Sequence, residues 1–340
     1  MNRINYIDGL KGISTLIVFF SHFVGAFTCL SFLKNIPGIN LLLDGTTAVH
    51  IFIILSGFSI CYSLTNNSNL ETAISRIILK RYFRLALPII LPTIFAYIFY
   101  ICGFCYNQQI GSLLENQWLC ELMPSNISIA NFASSLIFGP IRSSLITPLW
   151  MMHFIFFGTF LIIPICVCAN TINKKYRYYF LLIISIIILK YNVYYFSSSV
   201  GVLIYFYIKD EYSYSHISKV LGIFSLVILC LSLFMDTSYI HIIRAFAIIL
   251  LVINLPFFQY LLSLPTLLNL NKIGYQIYLV HAPIICSWSC FFYSKQEVNS
   301  TMILLNFIST AIFVFFTANI FSRVDTFTGK YLNRTLMKVL

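Results

Sequence analysis

Charged residues are scarce in this sequence. Asp, Glu, Lys and Arg together make up 9% of its 340 residues, whereas about a quarter of the residues in a soluble domain are charged. Hydrophobic residues make up 59% of the chain, and its mean hydropathy is +0.89. These values exclude an ordinary soluble domain and predict an all-α, polytopic integral membrane protein built as a helical bundle.

Acidic residues are the rarer of the two charged classes, with 10 Asp and Glu against 21 Lys and Arg, which gives a formal net charge of +11. In a membrane protein, Lys and Arg collect on the cytoplasmic side. The positive charge therefore indicates topology and contact with membrane lipids, and we expect no nucleic-acid partner.

Several other features are missing. The 10 cysteines are scattered through mostly apolar runs and form no disulfide framework. The C-x-x-C of Cys102 and Cys105 lies in an apolar stretch without the context of a redox or zinc motif. We expect no metal site, no cleaved signal peptide and no appended soluble domain, so that residues 1–340 form one integral membrane domain.

Apolar runs of membrane-spanning length recur along the chain. Placing both termini in the cytoplasm puts most basic residues of the connections on the cytoplasmic side, as expected for the inner (cytoplasmic) membrane of a cell. The longest connection, 107–146, then lies on the outer face, where a loop of this length often forms a lid or contacts substrate. We predict ten transmembrane helices, at roughly 12–33, 46–65, 84–106, 147–169, 177–194, 196–209, 218–235, 239–262, 273–293 and 302–322.

The first predicted span carries two ionisable residues, Lys11 and His22. The eleven helical steps from Lys11 to His22 rise about 16 Å and return to within about 20° of the starting direction. The two side chains therefore share one stripe of the helix, Lys11 near the membrane surface and His22 near the midplane. A histidine at that depth is costly unless it faces a polar cavity or a partner. Catalysis and a hydrogen bond to a neighbouring helix both fit this placement.

The second and third spans carry one notable constellation each. Ser56 and Gly57 fall near the middle of the second span, where glycine allows a close helix approach and serine can hydrogen-bond across it. Lys80, Arg81 and Arg84 cluster at the cytoplasmic edge of the third. Basic residues there contact lipid headgroups or, because arginine presents a fork of donors, clamp phosphates.

Further histidines follow. His153 lies in the fourth span, three residues after Trp150, which is expected in the interfacial aromatic belt. His281 lies in the ninth span, close to Tyr278. Both histidines are candidates for function, and a helix–helix hydrogen bond is the alternative for each. His50 is near the outer end of the second span and is expected to be solvated.

In this order and spacing, these segments resemble the membrane acyltransferase-3 family, which O-acylates surface polysaccharides and related acceptors. The family opens with an aspartate, then a basic residue and glycine, then ten further residues to a histidine. Asp8, Lys11, Gly12 and His22 match that pattern. Four further stretches resemble its later signatures, Ile51–Phe58, Lys80–Pro88, Pro148–Trp150 and Ile277–His281.

Two positions depart from the family pattern. Lys11 stands where the family normally has arginine, which keeps the charge but loses the planar fork. Ile155 stands five residues after Trp150, where many members carry a glutamate. Either His153 compensates, or this chain belongs to a branch that works without the carboxylate, or its activity is reduced or lost. The sequence leaves these alternatives open.

The resemblance implies transfer of a short acyl group from acyl-CoA, which enters from the cytoplasm, to a sugar hydroxyl. Acetyl is the default acyl group, with succinyl or another short acyl as alternatives. The acceptor would be a lipid-linked or nascent surface polysaccharide such as an O-antigen. No permanently bound cofactor is implied, since acetyl-CoA is a donor substrate.

The resemblance also assigns roles to the candidate residues. His22 would act as general base or, alternatively, carry the acyl group as an acyl-histidine. His281 or His153 would polarise the thioester carbonyl or orient the acceptor, and Asp8 accompanies Lys11 in the opening motif. The residues that would hold the coenzyme phosphates are the four bases Lys11, Lys80, Arg81 and Arg84.

Two rival interpretations remain. A polysaccharide flippase, polymerase or small-solute transporter would share this basic, ten-span composition. Transporters often show repeats in their two halves, and the absence of a visible repeat counts against that class. An inactive relative that serves as a binding or scaffold protein is the other rival, and Ile155 keeps it open.

Overall fold

A computed structural model describes residues 4–36, 38–67, 69–107, 109–110, 132–133, 146–211, 216–235, 237, 239–295 and 298–339. Within these ranges the secondary structure is helical and contains no β-strand. Most of the predicted outer connection 107–146 lies outside the described residues.

The α-helices of the described chain are numbered in sequence order. They are α1 (Asn5–Ala26), α2 (Ile39–Leu42), α3 (Gly45–Thr65), α4 (Leu70–Ile101), α5 (Trp150–Thr171), α6 (Lys174–Tyr191), α7 (Val193–Glu211), α8 (His216–Ser232), α9 (Ile240–Asn254), α10 (Pro256–Leu262), α11 (Pro265–Ile284), α12 (Cys290–Lys295) and α13 (Ser300–Val339). Tighter or wider turns adjoin them, 3-10 at Thr28–Asn35 and Thr147–Leu149 and π at Ile285–Ser289.

Six helical stretches of the described chain are long and apolar enough to cross a membrane, and the pair α9–α10, bent by 98°, would make a seventh. The six are α1, α3, α4, α5 with the turn before it, α11 through α12, and α13. The other predicted spans coincide with α6, α7 and α8, which are shorter or more polar. The chain is a multi-pass helical membrane protein.

The first and third predicted spans show how helix ends differ in the structure. The first, predicted at 12–33, is α1, which ends earlier because Phe27 takes an extended backbone conformation. The third, predicted at 84–106, lies within the longer α4. That helix starts well before position 84 because the Asn69 side chain caps it, accepting hydrogen bonds from two backbone amides of its first turn.

Glycines bring α1 against α11. A side chain at Gly9 or Gly12 would collide with backbone carbonyls at the start of α11 and just before it. Gly12 lies against Leu267, and three residues further along α1 Thr15 lies against Gly274. The contacts advance in the same direction on both helices, so α1 and α11 run parallel and equivalent heights on the two helices meet.

A second close approach joins α3 to α7. Gly57 lies against the carbonyl of Ser198, and Gly201 lies against the carbonyl of Ile54. Neither position has room for a Cβ atom, so each backbone packs directly on the other. Gly57 therefore has a packing role, and its neighbour Ser56 is held at a fixed height in the bundle.

A buried ion pair ties the start of α3 to α8 and α9. Arg244 donates through Nη1 to Oδ2 of Asp44 at 2.8 Å and through Nη2 to the carbonyl of Ser232 at 2.6 Å. Burial by itself would raise the pKa of Asp44, but hydrogen bonds from His241, Thr47 and Arg244 lower it to about 2. Because this pKa is depressed, the carboxylate stabilises the fold fully above pH ~4, and this stability is lost as the pH falls toward 2.

Replacing Asp44 with asparagine is expected to destabilise the protein by about 3–5 kcal/mol, since the variant leaves the Arg244 guanidinium buried without its counter-charge. Asparagine can still cap the helix, so the loss of stability in this variant reports the contribution of the ion pair alone. The measurement is the thermal midpoint of the full chain in detergent. Glu71→Gln, on the exposed first turn of α4, serves as the control and should cost less than about 1 kcal/mol. An unchanged midpoint for Asp44→Asn would contradict the expectation.

Candidate active site

Two histidines that are far apart in sequence meet at one end of the bundle, here called the histidine end. Nδ1 of His22 on α1 lies 3.0 Å from Nε2 of His281 on α11, and the ring centroids are 4.9 Å apart. His281 is completely buried, whereas His22 is partly exposed. The parallel packing of α1 on α11 sets the two rings at the same height.

A backbone carbonyl fixes the proton positions in this pair. Nδ1 of His281 lies 3.1 Å from the carbonyl oxygen of Ile277. A carbonyl can only accept, so this Nδ1 carries the hydrogen and Nε2 of the neutral ring accepts from Nδ1–H of His22. The lone pair of His22 is then on Nε2, the atom at which this ring can take up a proton.

His22 lies closer to the end of its helix than the sequence predicted. Because α1 ends at Ala26, His22 is only about 6 Å of helical rise from that end, not at the middle of the helix. Lys11 remains on the same helix about 16 Å away in the opposite direction. The spacing from Lys11 to His22 is therefore as predicted, but His22 lies near the end of its helix.

A cavity of about 90 Å³ lies beside His22. It is enclosed by α1, α3, α11 and the turn before α5. The side chains that give it a mixed character are Val18, Val49 and Trp150 on the apolar side and Ser21, Thr46 and Tyr278 on the polar side. A small cavity with both apolar and hydroxyl-bearing walls suits a short acyl group next to an imidazole.

Tyr278 connects two of the signatures found in the sequence. Its hydroxyl donates to the carbonyl of Pro148, and its ring centroid lies 6.0 Å from that of His281. Trp150, two residues after that proline, is 43% exposed and stacks edge-on against Tyr194. An exposed tryptophan at the rim of the cavity offers a flat apolar face to an incoming ligand.

His153 and Ile155 lie on α5 in an aromatic and aliphatic environment. The ring of His153 contacts those of Phe154 and Phe157, the latter at 4.6 Å between centroids. Ile155 is buried in a cluster that includes Met152. The structure thus pairs His22 with His281, while His153 is not among the residues that line the described cavity.

Cations from two helices meet at the opposite end of the bundle, here called the basic end. Lys11 lies 3.7 Å from the carboxylate of Asp8, and it also interacts electrostatically with Arg81 and Arg84 of α4. Arg81 donates to the hydroxyl of Ser56 on α3. The opening motif and the basic motif of the sequence therefore form one cluster, with Ser56 holding one of its arginines.

Two polar residues from α11 and α13 complete the basic end. Gln276 donates to the carbonyl of Pro88 at 3.4 Å and lies 3.5 Å from Oδ2 of Asp325. The Pro88 carbonyl needs an outside donor because Pro92, one turn later, has no amide hydrogen. Asp325 also interacts electrostatically with Arg84, so the cluster joins α4 to α11 and α13.

The basic end has spare hydrogen-bonding capacity. Nε of Arg81 is buried and has no hydrogen-bond partner among the described residues. Lys80, the preceding residue, is half-buried, and Arg84 is exposed. Guanidinium groups with unused N–H donors are suited to an anion such as a phosphate, whose oxygens match the arginine fork.

One prediction about a histidine is wrong. His50 was expected to be solvated, but it is buried, with Nδ1 2.8 Å from the hydroxyl of Ser197 and its ring stacked on that of Tyr194. The reason is the close approach of α7 to α3, which covers this face of α3. His50 serves to join the two helices.

A polar cluster at the histidine end was not predicted from the sequence. It is formed by Asp44, His241 and Arg244. His241 donates through Nδ1 to the Asp44 carboxylate at 2.8 Å, and Arg244 binds the same group. The sequence did contain a signal for this cluster, namely the ionisable residues themselves, because a charge within an apolar chain needs a partner. What the sequence could not provide was the partner, which is about 200 residues away.

The described chain is thus a bundle of apolar helices with an oriented histidine pair at one end and a cation cluster at the other. The chain belongs to the acyltransferase-3 family: that family's model, described as an acyltransferase domain, matches residues 4–322. The resemblance drawn from the motifs is thereby confirmed, and the chain is a membrane acyltransferase. No curated protein and no solved structure matches it significantly.

Proposed function

We propose that this acyltransferase is an O-acetyltransferase of the inner (cytoplasmic) membrane. It transfers an acetyl or similarly short acyl group from acyl-CoA to a sugar hydroxyl of a surface polysaccharide or lipid-linked glycan. In this proposal the chain has ten spans with both termini cytoplasmic, so the basic end faces the cytoplasm and the histidine end faces outward. The predominance of basic residues in the connections assigned to the cytoplasmic side supports this orientation.

The observation that carries the proposal is the His22–His281 hydrogen bond beside a cavity. A sugar hydroxyl is a poor nucleophile at neutral pH, and a positioned base typically contributes ~10²–10⁴-fold to such a reaction. His281, itself oriented by the Ile277 carbonyl, holds His22 in the tautomer whose Nε2 accepts a proton. The hydrogen bonds from His22 to His281 and from His281 to the Ile277 carbonyl involve no carboxylate. They offer a chemical reason why Ile155 can stand where many family members carry a glutamate.

The reaction follows from these positions. The acceptor hydroxyl oxygen attacks the thioester carbonyl carbon while its proton moves to Nε2 of His22. The resulting tetrahedral intermediate collapses by breaking the carbon–sulfur bond, and the imidazolium returns the proton to the departing thiolate. The products are the sugar ester and free coenzyme A. His22 ends the cycle in its starting tautomer, because Nδ1–H stays hydrogen-bonded to His281 throughout.

The basic end is the proposed binding site for the coenzyme phosphates. Lys11, Arg81 and Arg84 supply the charge, and Lys80 precedes Arg81 in the chain. Nε of Arg81, which has no hydrogen-bond partner within the described part of the chain, supplies a donor. The pantetheine arm then covers the distance of about 16 Å from Lys11 to His22. In this proposal, the separation of Lys11 and His22 matches the distance between the bound phosphates and the reacting thioester.

The size of the cavity beside His22 supports a short acyl group. Its volume of about 90 Å³ has room for an acetyl group. Direct transfer and an acyl-histidine intermediate would both place the acyl carbon here, next to Nε2 of His22.

The deciding experiment compares the surface glycan of host cells with and without this chain by NMR. Loss of O-acetyl signals without the chain, and their return with the wild-type gene but not with an inactive variant, would support the enzyme. A glycan that keeps its esters and loses chain length or export would indicate the rival flippase or polymerase. Unchanged glycan in every respect would reject the surface-polysaccharide acceptor.

Replacing Arg84 with alanine is expected to raise the KM for acetyl-CoA about 10–100-fold, the usual range for one lost hydrogen bond to a charged group. Arg84→Lys keeps the charge and should lose less. The assay is acetyl transfer by the full chain in liposomes. Acetyl-pantetheine, a donor without nucleotide phosphates, supplies the key comparison: if Arg84 binds a phosphate, this donor is used equally by wild type and variant.

Lys219→Ala provides the matched control, because Lys219 is an exposed base on α8, a helix that contributes no residue to the basic cluster as described. Its KM for acetyl-CoA should be that of the wild type. If Arg84→Ala impaired acetyl-pantetheine as strongly as acetyl-CoA, the phosphate role would be rejected.

A further inference from the structure

A second cavity, of about 260 Å³, lies at the histidine end. It shares three lining residues, Ser21, Gly45 and Thr46, with the smaller cavity beside His22. The two cavities therefore adjoin, and the larger one extends from His22 toward the start of α9. Besides the shared residues, its polar and charged lining consists of Lys34, Asn40, Asp44, His241 and Arg244.

An Asp–His pair forms one wall of this larger cavity. Nδ1 of His241 lies 2.8 Å from Oδ1 of Asp44, so Nδ1 carries the hydrogen and Nε2 of the neutral ring carries a lone pair. Asp44 is also held by Thr47 and Arg244. The side chain of His241 is 34% exposed, whereas that of Asp44 is 4% exposed. The imidazole is thus the accessible member of a rigidly held pair.

Asn40 provides a second, independent acceptor in the same cavity. Its Oδ1 is buried and has no hydrogen-bond partner among the described residues. Buried carbonyl oxygens without a donor are uncommon, because leaving one unsatisfied costs free energy. An unsatisfied acceptor that lines a cavity indicates a ligand that brings hydroxyl or amide hydrogens.

The chemistry of the wall matches a hydroxyl-rich ring. The Arg244 guanidinium is already engaged by Asp44 and by the carbonyl and hydroxyl of Ser232. Nε2 of the neutral His241 ring and Oδ1 of Asn40 are acceptors, which match hydroxyl donors, and the cationic side chain of Lys34 also lines this cavity. The volume of about 260 Å³ has room for one sugar ring of the acceptor.

We propose that this larger cavity is the acceptor subsite, in which His241, held by Asp44, and Asn40 bind hydroxyl groups of one sugar ring. A neighbouring hydroxyl of that ring reaches Nε2 of His22 across the boundary formed by Ser21, Gly45 and Thr46. The inference rests on the proposed function and extends it by naming the residues that select the acceptor. His241 is a binding residue here, and the proton transfer remains with His22.

The test uses the full chain in liposomes, with acetyl-CoA as donor and, as acceptor, polysaccharide purified from host cells deleted for this chain. His241→Phe keeps the ring shape and loses the acceptor nitrogen, and Asn40→Leu removes the amide. Each is expected to raise the acceptor KM about 3–10-fold, the effect of one lost hydrogen bond, with the KM for acetyl-CoA unchanged. Tyr239→Phe, at the exposed start of α9, is the control and should keep wild-type values.

A binding measurement separates this inference from the proposed reaction. In His22→Ala, which cannot turn over, the polysaccharide should still raise the thermal midpoint, and with the added His241→Phe change about 3–10-fold more polysaccharide should be needed for the same rise. Transfer by wild type with an unchanged acceptor KM in both single variants would overturn the subsite alone. Binding that depends on His241 without any transfer would overturn the reaction and leave the sugar site standing. Neither binding nor transfer would overturn both.

Discussion

Replacing His22 with alanine is expected to lower acetyl transfer by about 10²–10⁴-fold, the contribution of a positioned general base. The physical reason is that His22 lines the cavity of about 90 Å³ and is the member of the histidine pair whose lone pair is on Nε2. The measurement is kcat for transfer from labelled acetyl-CoA to purified polysaccharide by the full chain in liposomes.

The control for this variant is donor binding. The coenzyme is proposed to bind about 16 Å away at the basic end, so the KM for acetyl-CoA should stay close to the wild-type value. A His22→Ala protein that inserts normally and transfers acetyl groups at the wild-type rate would remove the basis of the mechanism. Loss of donor binding together with activity would indicate a folding defect.

Replacing His281 with leucine is expected to lower kcat by a comparable factor, about 10²–10⁴-fold, the range for losing a group that holds a catalytic histidine in its productive tautomer. Without the acceptor nitrogen of His281, Nδ1–H of His22 has lost its 3.0 Å partner. The other tautomer, with the hydrogen on Nε2, then competes. His281 acts through His22, so it is a positioning residue.

A conservative variant distinguishes positioning from simple packing. The side-chain carbonyl of glutamine can take the place of Nε2 and accept from His22, so His281→Gln should recover much of the lost rate, whereas His281→Leu should not. The pH dependence of kcat should also shift in the leucine variant and less so in the glutamine variant. Equal loss of activity in both variants, with unchanged pH profiles, would show that His281 only fills space.

The sequence predicted most of the helices because helix formation in a membrane depends on local hydrophobicity. Every predicted span falls on a helix of the described chain, including the polar α6 and α7. The errors lie at helix ends, such as the early end of α1 at Ala26. Ends are set by caps and by individual backbone turns, and hydropathy averaged along a window does not detect them.

For the site, the sequence found the residues and missed their arrangement. Lys11 and His22 were placed on one stripe because the helical period relates positions on a single helix. His50 was misplaced because its exposure depends on α7, which packs across α3 through Gly57 and Gly201. No periodicity within α3 carries that information.

The sequence by itself determined that this is a helical membrane protein, and its motifs placed it in the acyltransferase-3 family, because composition and spacing are local properties of the chain. Only the tertiary structure decided that His22 pairs with His281, and that Asp44 meets His241 and Arg244. These partners lie on different helices, and which helices meet is decided by packing, above all by glycines that allow two backbones to touch.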